Sequence, residues 1–135
     1  MTYDKISVGD SAEVSKTITE QDINDFAELS GDNNPAHLDE EYAKNTAFKH
    51  RIAHGMFVSS LISNVLGNEL PGHGTIYMTQ SLKFIAPVYI NDTITARVEV
   101  IKKIAEKKRI VFQTTCTNQD GKIVIDGEAL VSPPR

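Results

Sequence analysis

The run Gly55-Met56-Phe57-Val58-Ser59-Ser60-Leu61-Ile62-Ser63-Asn64-Val65-Leu66 constrains the fold more than any other part of the chain. On a helix, Met56, Phe57, Val58, Leu61, Ile62, Val65 and Leu66 cover most of the circumference, and a helix apolar on most sides has to be buried. Pro71 and Gly72 end it. Its serines and asparagine, and its length, do not suit a bilayer span, so no membrane partner is expected. Everything afterwards alternates with the period of a strand. Ile76, Met78, Leu82 and Phe84 share one parity, then Ile94, Ala96, Val98 and Val100, then Ile110, Phe112 and Cys116. A turn at Asn118-Gln119-Asp120-Gly121 leads to a last strand with Ile123, Ile125, Ala129 and Val131 on one side.

Upstream, Ser11–Ile18 reads as a strand. Thr19 followed by Asp22 resembles a capping box, and Ile23, Phe26, Ala27 and Ser30 fall on one helical face before Gly31. A helix near 20–30 therefore ends just before Asp32, and Asp39 can cap a second short helix, Glu40–Lys44. The order is strand, helices, one central helix, then four consecutive strands with short connections. Short connections favour antiparallel pairing, and the sheet's apolar face needs a cover, which the central helix supplies. The expected class is α+β, with a curved antiparallel sheet wrapped round a central helix: the hotdog arrangement. Such sheets commonly close their edges by pairing two protomers, so a homodimer is the expected assembly.

No repeat, low-complexity tract or linker divides the 135 residues, so one domain over 1–135 is expected. The net charge of −4 leaves no concentrated basic face, which argues against a nucleic-acid partner. One cysteine, Cys116, excludes an internal disulfide and any cysteine-based metal cluster, and fits a reducing compartment. The first residues, MTYDKISVGD, lack the basic-then-apolar pattern of a secretory signal, so a cytoplasmic location is expected.

The chemically informative run is Ser30-Gly31-Asp32-Asn33-Asn34-Pro35-Ala36-His37. Pro35 fixes its own φ and pushes Asn34 towards extended geometry, so the preceding helix cannot continue and a loop must present the polar groups. A carboxylate and an imidazole converging across a rigid turn can move protons at two neighbouring atoms of a substrate. The same residues are also good turn formers, and His37 can equally be a packing residue. A second run, His50-Arg51-Ile52-Ala53-His54-Gly55-Met56, leads straight into the central helix, whose first turn offers unpaired N–H groups and the positive dipole end to a developing oxyanion. Gly55 lets a ligand approach the backbone, or simply permits close packing.

Together these runs resemble the signature of the MaoC-like, R-specific enoyl-CoA hydratase family. The matching residues are Phe26, Leu29-Ser30-Gly31-Asp32, Asn34-Pro35, His37 and Ala47, then Ile52-Ala53-His54-Gly55-Met56, Ser81-Leu82-Lys83-Phe84 and Pro87-Val88. Ala36 departs from the pattern, which usually has a larger aliphatic residue there. The resemblance implies a hotdog fold, acyl-CoA substrates, and neither metal nor redox cofactor. It implies that Asp32 and His37 hold and deprotonate the water that attacks C3 of a trans-2-enoyl thioester, with the Gly55 amide on the thioester carbonyl. It also implies a site role for Ser63, which either holds the Asp32 loop or the water, or bonds back to its own helix. Asn34 braces the loop or contacts substrate, and Met56, Phe57 or Ile62 line the acyl slot or belong simply to the core. Lys49, His50, Arg51 and Lys83 are candidates for the CoA phosphates. Rival readings on the same fold are a thioesterase, a dehydratase acting on acyl-carrier protein, and a non-catalytic acyl-CoA-binding module.

Overall fold

The computed structural model describes Met1–Arg135. After a single 3-10 turn at Tyr3–Lys5, the elements run β1 (Ser11–Thr17), α1 (Glu20–Ser30), α2 (Pro35–Leu38), α3 (Glu40–Ala43), α4 (Gly55–Asn68), β2 (Ile76–Gln80), β3 (Lys83–Phe84), β4 (Thr93–Ile104), β5 (Arg109–Thr117) and β6 (Ile123–Ser132). The strands form one antiparallel sheet in the order β1-β4-β5-β6-β2, with β3 also on β6. This is the hotdog fold expected from the sequence.

Alternation builds the core. Ile94, Ala96, Val98 and Val100 of β4, and Ile110, Phe112 and Cys116 of β5, point to one face and are fully buried. Against them lies α4, which contributes Val58, Leu61, Ile62, Val65 and Leu66 to a single hydrophobic cluster of 22 residues. Burying each such side chain stabilises the fold by roughly 1.5–3 kcal/mol, offset by the entropy of ordering it.

Four details differ from the sequence expectation. First, α4 is not buried all round: Met56, Ser60, Ser63 and Asn64 lie on an exposed side. Only one stripe meets the sheet, because nothing in the chain covers the other. Second, the run expected as a single strand over Ile76–Phe84 splits into β2 and β3, giving six strands in all. The break sits where the Ser81 carbonyl presses on Gly127, 1.9 Å from where a Cβ would stand. Third, Ile123 is exposed while Val124 and Ile125 are both buried, because the pairing register slips between Cys116 and Thr117. Fourth, the loop expected after Gly31 contains a helical turn, α2, with Pro35 at its first position.

Along β2, one edge pairs with β6 and the other is open, and Ile76, Tyr77 and Met78 are exposed there. No helix is long and apolar enough to cross a membrane.

Candidate active site

The site begins with how α1 starts and stops. The capping box forms: the Thr19 amide donates to Asp22 Oδ2 at 2.9 Å, and the Asp22 amide donates to Thr19 Oγ1 at 3.1 Å. At the other end Gly31 takes φ 77°, which costs glycine little, and its amide returns to the Ala27 carbonyl. The chain is thereby turned off the helix axis at Asp32. The Asp32 amide donates to Ser30 Oγ at 3.1 Å, and Asp32 Oδ1 accepts from the Asn34 amide at 3.3 Å. Asn34 Oδ1 then caps α2 by accepting from the Ala36 amide at 3.1 Å. That one-turn helix carries His37.

His37 is fixed through Nδ1, which lies 2.7 Å from the Ile52 carbonyl. A carbonyl only accepts, so the neutral ring carries its proton on Nδ1 and keeps its lone pair on Nε2. His54, buried at 2% exposure, stacks on His37 with centroids 3.9 Å apart and planes 27° from parallel. Its Nε2 lies 2.9 Å from the Asp32 carbonyl. Burial pushes the His54 imidazole below its ordinary value; the bond to the Asp32 carbonyl opposes this, and neighbouring His37 adds to it.

Asp32 and His37 open into a cavity of about 390 Å³ whose other walls are mainly apolar: Phe48, Ile52, Met56, Val58, Phe84, Ile85, Val88 and Ile125. Gly55 is part of the wall. A Cβ there would stand 2.6 Å from the Phe84 ring, so glycine is what lets that ring pack directly on the start of α4. No loop bond uses the Gly55 amide, which belongs to the first turn of α4 and lies at the positive end of its dipole. An apolar slot with a carboxylate, an imidazole and a helix N-terminus at one end can hold an apolar acyl group, shift protons beside it and stabilise an oxyanion. One potential ligand atom each of Asp32, His37 and His54 falls within 4.8 Å of the others. The two rings are stacked, however, so their lone pairs lie in nearly parallel planes with centroids 3.9 Å apart, and one ion cannot sit in both.

Of the residues expected in the site, Asp32, His37, Gly55 and Met56 line this cavity, whereas Asn34, Phe57 and Ser63 do not. Asn34 spends its side chain as the α2 cap. Phe57 packs on Phe26, with ring centroids 5.6 Å apart, and on the core. Ser63 is exposed on the open side of α4, and Ile62 is fully buried core. Arg51 is unsuited to a CoA phosphate. Only 8% exposed, it donates to Glu20 Oε1 at 2.9 Å, Asn24 Oδ1 at 3.1 Å and the His37 carbonyl at 2.6 Å. His50 pairs with Glu40 at 2.9 Å. Lys49 and Lys83 are exposed. Sequence reasoning passed over Phe48 and Ile85 as cavity walls and took His54 only for a helix-entry residue.

Residues 7–122 match the family model described as a MaoC like domain. The chain is 56% identical over 132 residues to the (R)-specific enoyl-CoA hydratase of Rhodospirillum rubrum, covering 98% of this chain and 91% of that one. An R-hydratase of Pseudomonas aeruginosa, solved unliganded, superposes with a TM-score of 0.94 at 45% identity, covering 99% of this chain and 86% of its own. The (R)-hydratase of Aeromonas caviae involved in PHA biosynthesis gives a TM-score of 0.93 at 43% identity, with 96% and 98% covered. The chain belongs to the MaoC-like domain family.

Proposed function

We propose that this protein is an R-specific enoyl-CoA hydratase, a hydro-lyase that reversibly converts trans-2-enoyl-CoA and water to (R)-3-hydroxyacyl-CoA. The observation that carries the site assignment is the convergence of Asp32, His37 and the Gly55 turn of α4 on one apolar cavity. Water bound between the Asp32 carboxylate and His37 Nε2 loses a proton to this pair as its oxygen bonds to C3. The C2=C3 electrons move onto the thioester as an enolate, and a proton returned from the pair to C2 completes the addition. Asp32 is the principal base, and His37 orients the water and shares the transfer. The Gly55 amide faces the enolate oxygen, and donors placed in advance of the charge are worth about 3–4 kcal/mol each. The acyl chain follows the apolar wall past Met56 and Phe84. Asn34, Phe57 and Ser63 act outside the cavity, Asn34 by holding α2 in place.

We also propose a homodimer, joined along the open edge of β2. The buried thiol of Cys116 suits a reducing compartment, and the cytoplasm is the location we propose.

The test is loss of the conjugated absorbance of crotonyl-CoA on addition of purified protein. Asp32→Asn and His37→Ala are each expected to lower kcat by about 10² or more, with the melting temperature nearly unchanged. An Asp32→Asn variant as fast as the parent, or a product of S configuration, would overturn the reading. A protein that binds CoA tightly without consuming the enoyl thioester would be a binding module instead.

A further inference from the structure

We propose that Arg51 and His54 are positioning residues, forming with the backbone between them a splint that fixes Asp32 and His37 without itself taking part in proton transfer; this rests on the catalytic reading just given. Residues 51–54 run alongside the catalytic loop, and three of the four bond to it. Arg51 Nε donates to the His37 carbonyl at 2.6 Å. The Ile52 carbonyl accepts from His37 Nδ1 at 2.7 Å, and the Ile52 amide donates to the Ala36 carbonyl at 3.3 Å. His54 Nε2 donates to the Asp32 carbonyl at 2.9 Å. Ala53 bonds elsewhere, its amide donating at 2.7 Å to the carbonyl of Val88, another residue that lines the cavity. The strip is thus bonded to both the loop and Val88.

Each half of the splint fixes one catalytic group. Asp32 is held at its amide by Ser30 Oγ and at its carbonyl by His54, so its backbone is pinned at both ends while the carboxylate stays directed at the cavity. His37 is held at its carbonyl by Arg51 and at its ring by Ile52. Arg51 is anchored in turn on Glu20 and Asn24 of α1, and its amide donates to Glu40 Oε2 at 3.2 Å.

The chemistry of His54 argues for this role over simple packing. Its ring lies between His37, 3.9 Å away, and Phe26, 4.8 Å away, a place that any flat apolar ring would fill. What a phenyl ring lacks is the Nε2–H that reaches the Asp32 carbonyl. The other nitrogen, Nδ1, is buried with no partner. A buried orphan acceptor is destabilising, so the donor on the opposite side of the ring is the reason for a histidine here.

Two variants separate donor from ring. His54→Phe keeps the stack and removes the donor; His54→Gln removes the ring and keeps an amide N–H near the Nε2 position. Since small misplacements of reacting groups are costly, His54→Phe is expected to lower kcat by about 30-fold with KM within about threefold, and His54→Gln to recover to within about fivefold of the parent. Arg51→Lys, which keeps the charge and loses the fork, is expected to lower kcat by about tenfold, again with KM nearly unchanged. Melting curves establish the folded fraction of each variant. The role of His54 is overturned by a His54→Phe protein with parental kcat, by equal losses in both His54 variants, or by a loss no greater than the loss of folded protein. Should His54→Phe not fold, the parent's imidazole ¹⁵N resonances decide: His54 in the Nε2–H form is expected, and the Nδ1–H form overturns the assignment. An inactive Asp32→Asn beside a fully active His54→Phe removes the splint alone. A fully active Asp32→Asn removes the catalytic reading, and the splint with it.

Discussion

Gly55 and Phe84 are coupled by contact: the space a methyl group would take at position 55 is already occupied by the Phe84 ring, at 2.6 Å. That ring is about half exposed, so it can swing aside, and Ala is a better helix former than Gly. Gly55→Ala should therefore fold with little change in melting temperature while driving the ring into the acyl slot. The expected result is a KM for crotonyl-CoA raised by about tenfold, with partial recovery in Gly55→Ala/Phe84→Ala. Steady-state kinetics on the three proteins check this; a Gly55→Ala enzyme with parental KM would mean that the ring leaves the slot open. At this scale the meeting of Asp32 and His37 at one cavity was legible, because Pro35 stops the helix and the turn after it presents both side chains together. Ser63 and Phe57 were not. The expectation put Ser63 on the face of Gly55, but eight residues of helix turn it about 80° away, onto the open side of α4.

Among elements, the joint between the α1–α2 loop and the head of α4 carries a pH dependence. His54 is held below its ordinary 6.5 by burial, against the pull of the Asp32 carbonyl and with help from His37. Above that value the group is neutral in both folded and unfolded chains and adds no slope. As pH falls from 6.5 through the lower folded value, the unfolded chain takes up a proton that the folded one resists, so stability drops with falling pH. Asp22 and Glu40 are also lowered, from 3.8 and 4.5, and lose their contributions only in more acid solution. Urea midpoints at about pH 7.5 and 5.5 should therefore fall more for the parent than for His54→Gln, and equal falls would contradict the assignment. The same joint explains why α1 was legible and α2 was not. Thr19, Asp22 and Gly31 mark the ends of α1 by local chemistry, whereas α2 is a single turn that depends on Asn34 and on contacts with residues 51–52, which no local pattern reveals.

Across the whole molecule, strand alternation made the sheet and its covering helix readable, and the slips came where distant chain segments meet. The split between β2 and β3 depends on Gly127, more than 40 positions further along the chain, and the inward turn of Val124 depends on a register slip against β5. The open edge of β2, with Ile76, Tyr77 and Met78 exposed, is a surface that monomers seldom leave bare. Sedimentation analysis should give a dimer for the parent and a monomer for Ile76→Lys/Met78→Lys, whose charges cannot be buried across a shared edge. A monomeric parent, or a variant that still pairs, would place the contact elsewhere.

The arrangement of the cavity also divides its tasks by location. Asp32 and His37 hang on one side, bonded to Arg51 and His54, while Met56, Phe84 and Ile85 are half exposed and lightly held. Substrate range can then drift, in nature or in the laboratory, through changes on the looser side while the acid–base geometry stays put. Redesign for longer or bulkier acyl groups has most freedom at those three side chains and least along the strip from 51 to 54.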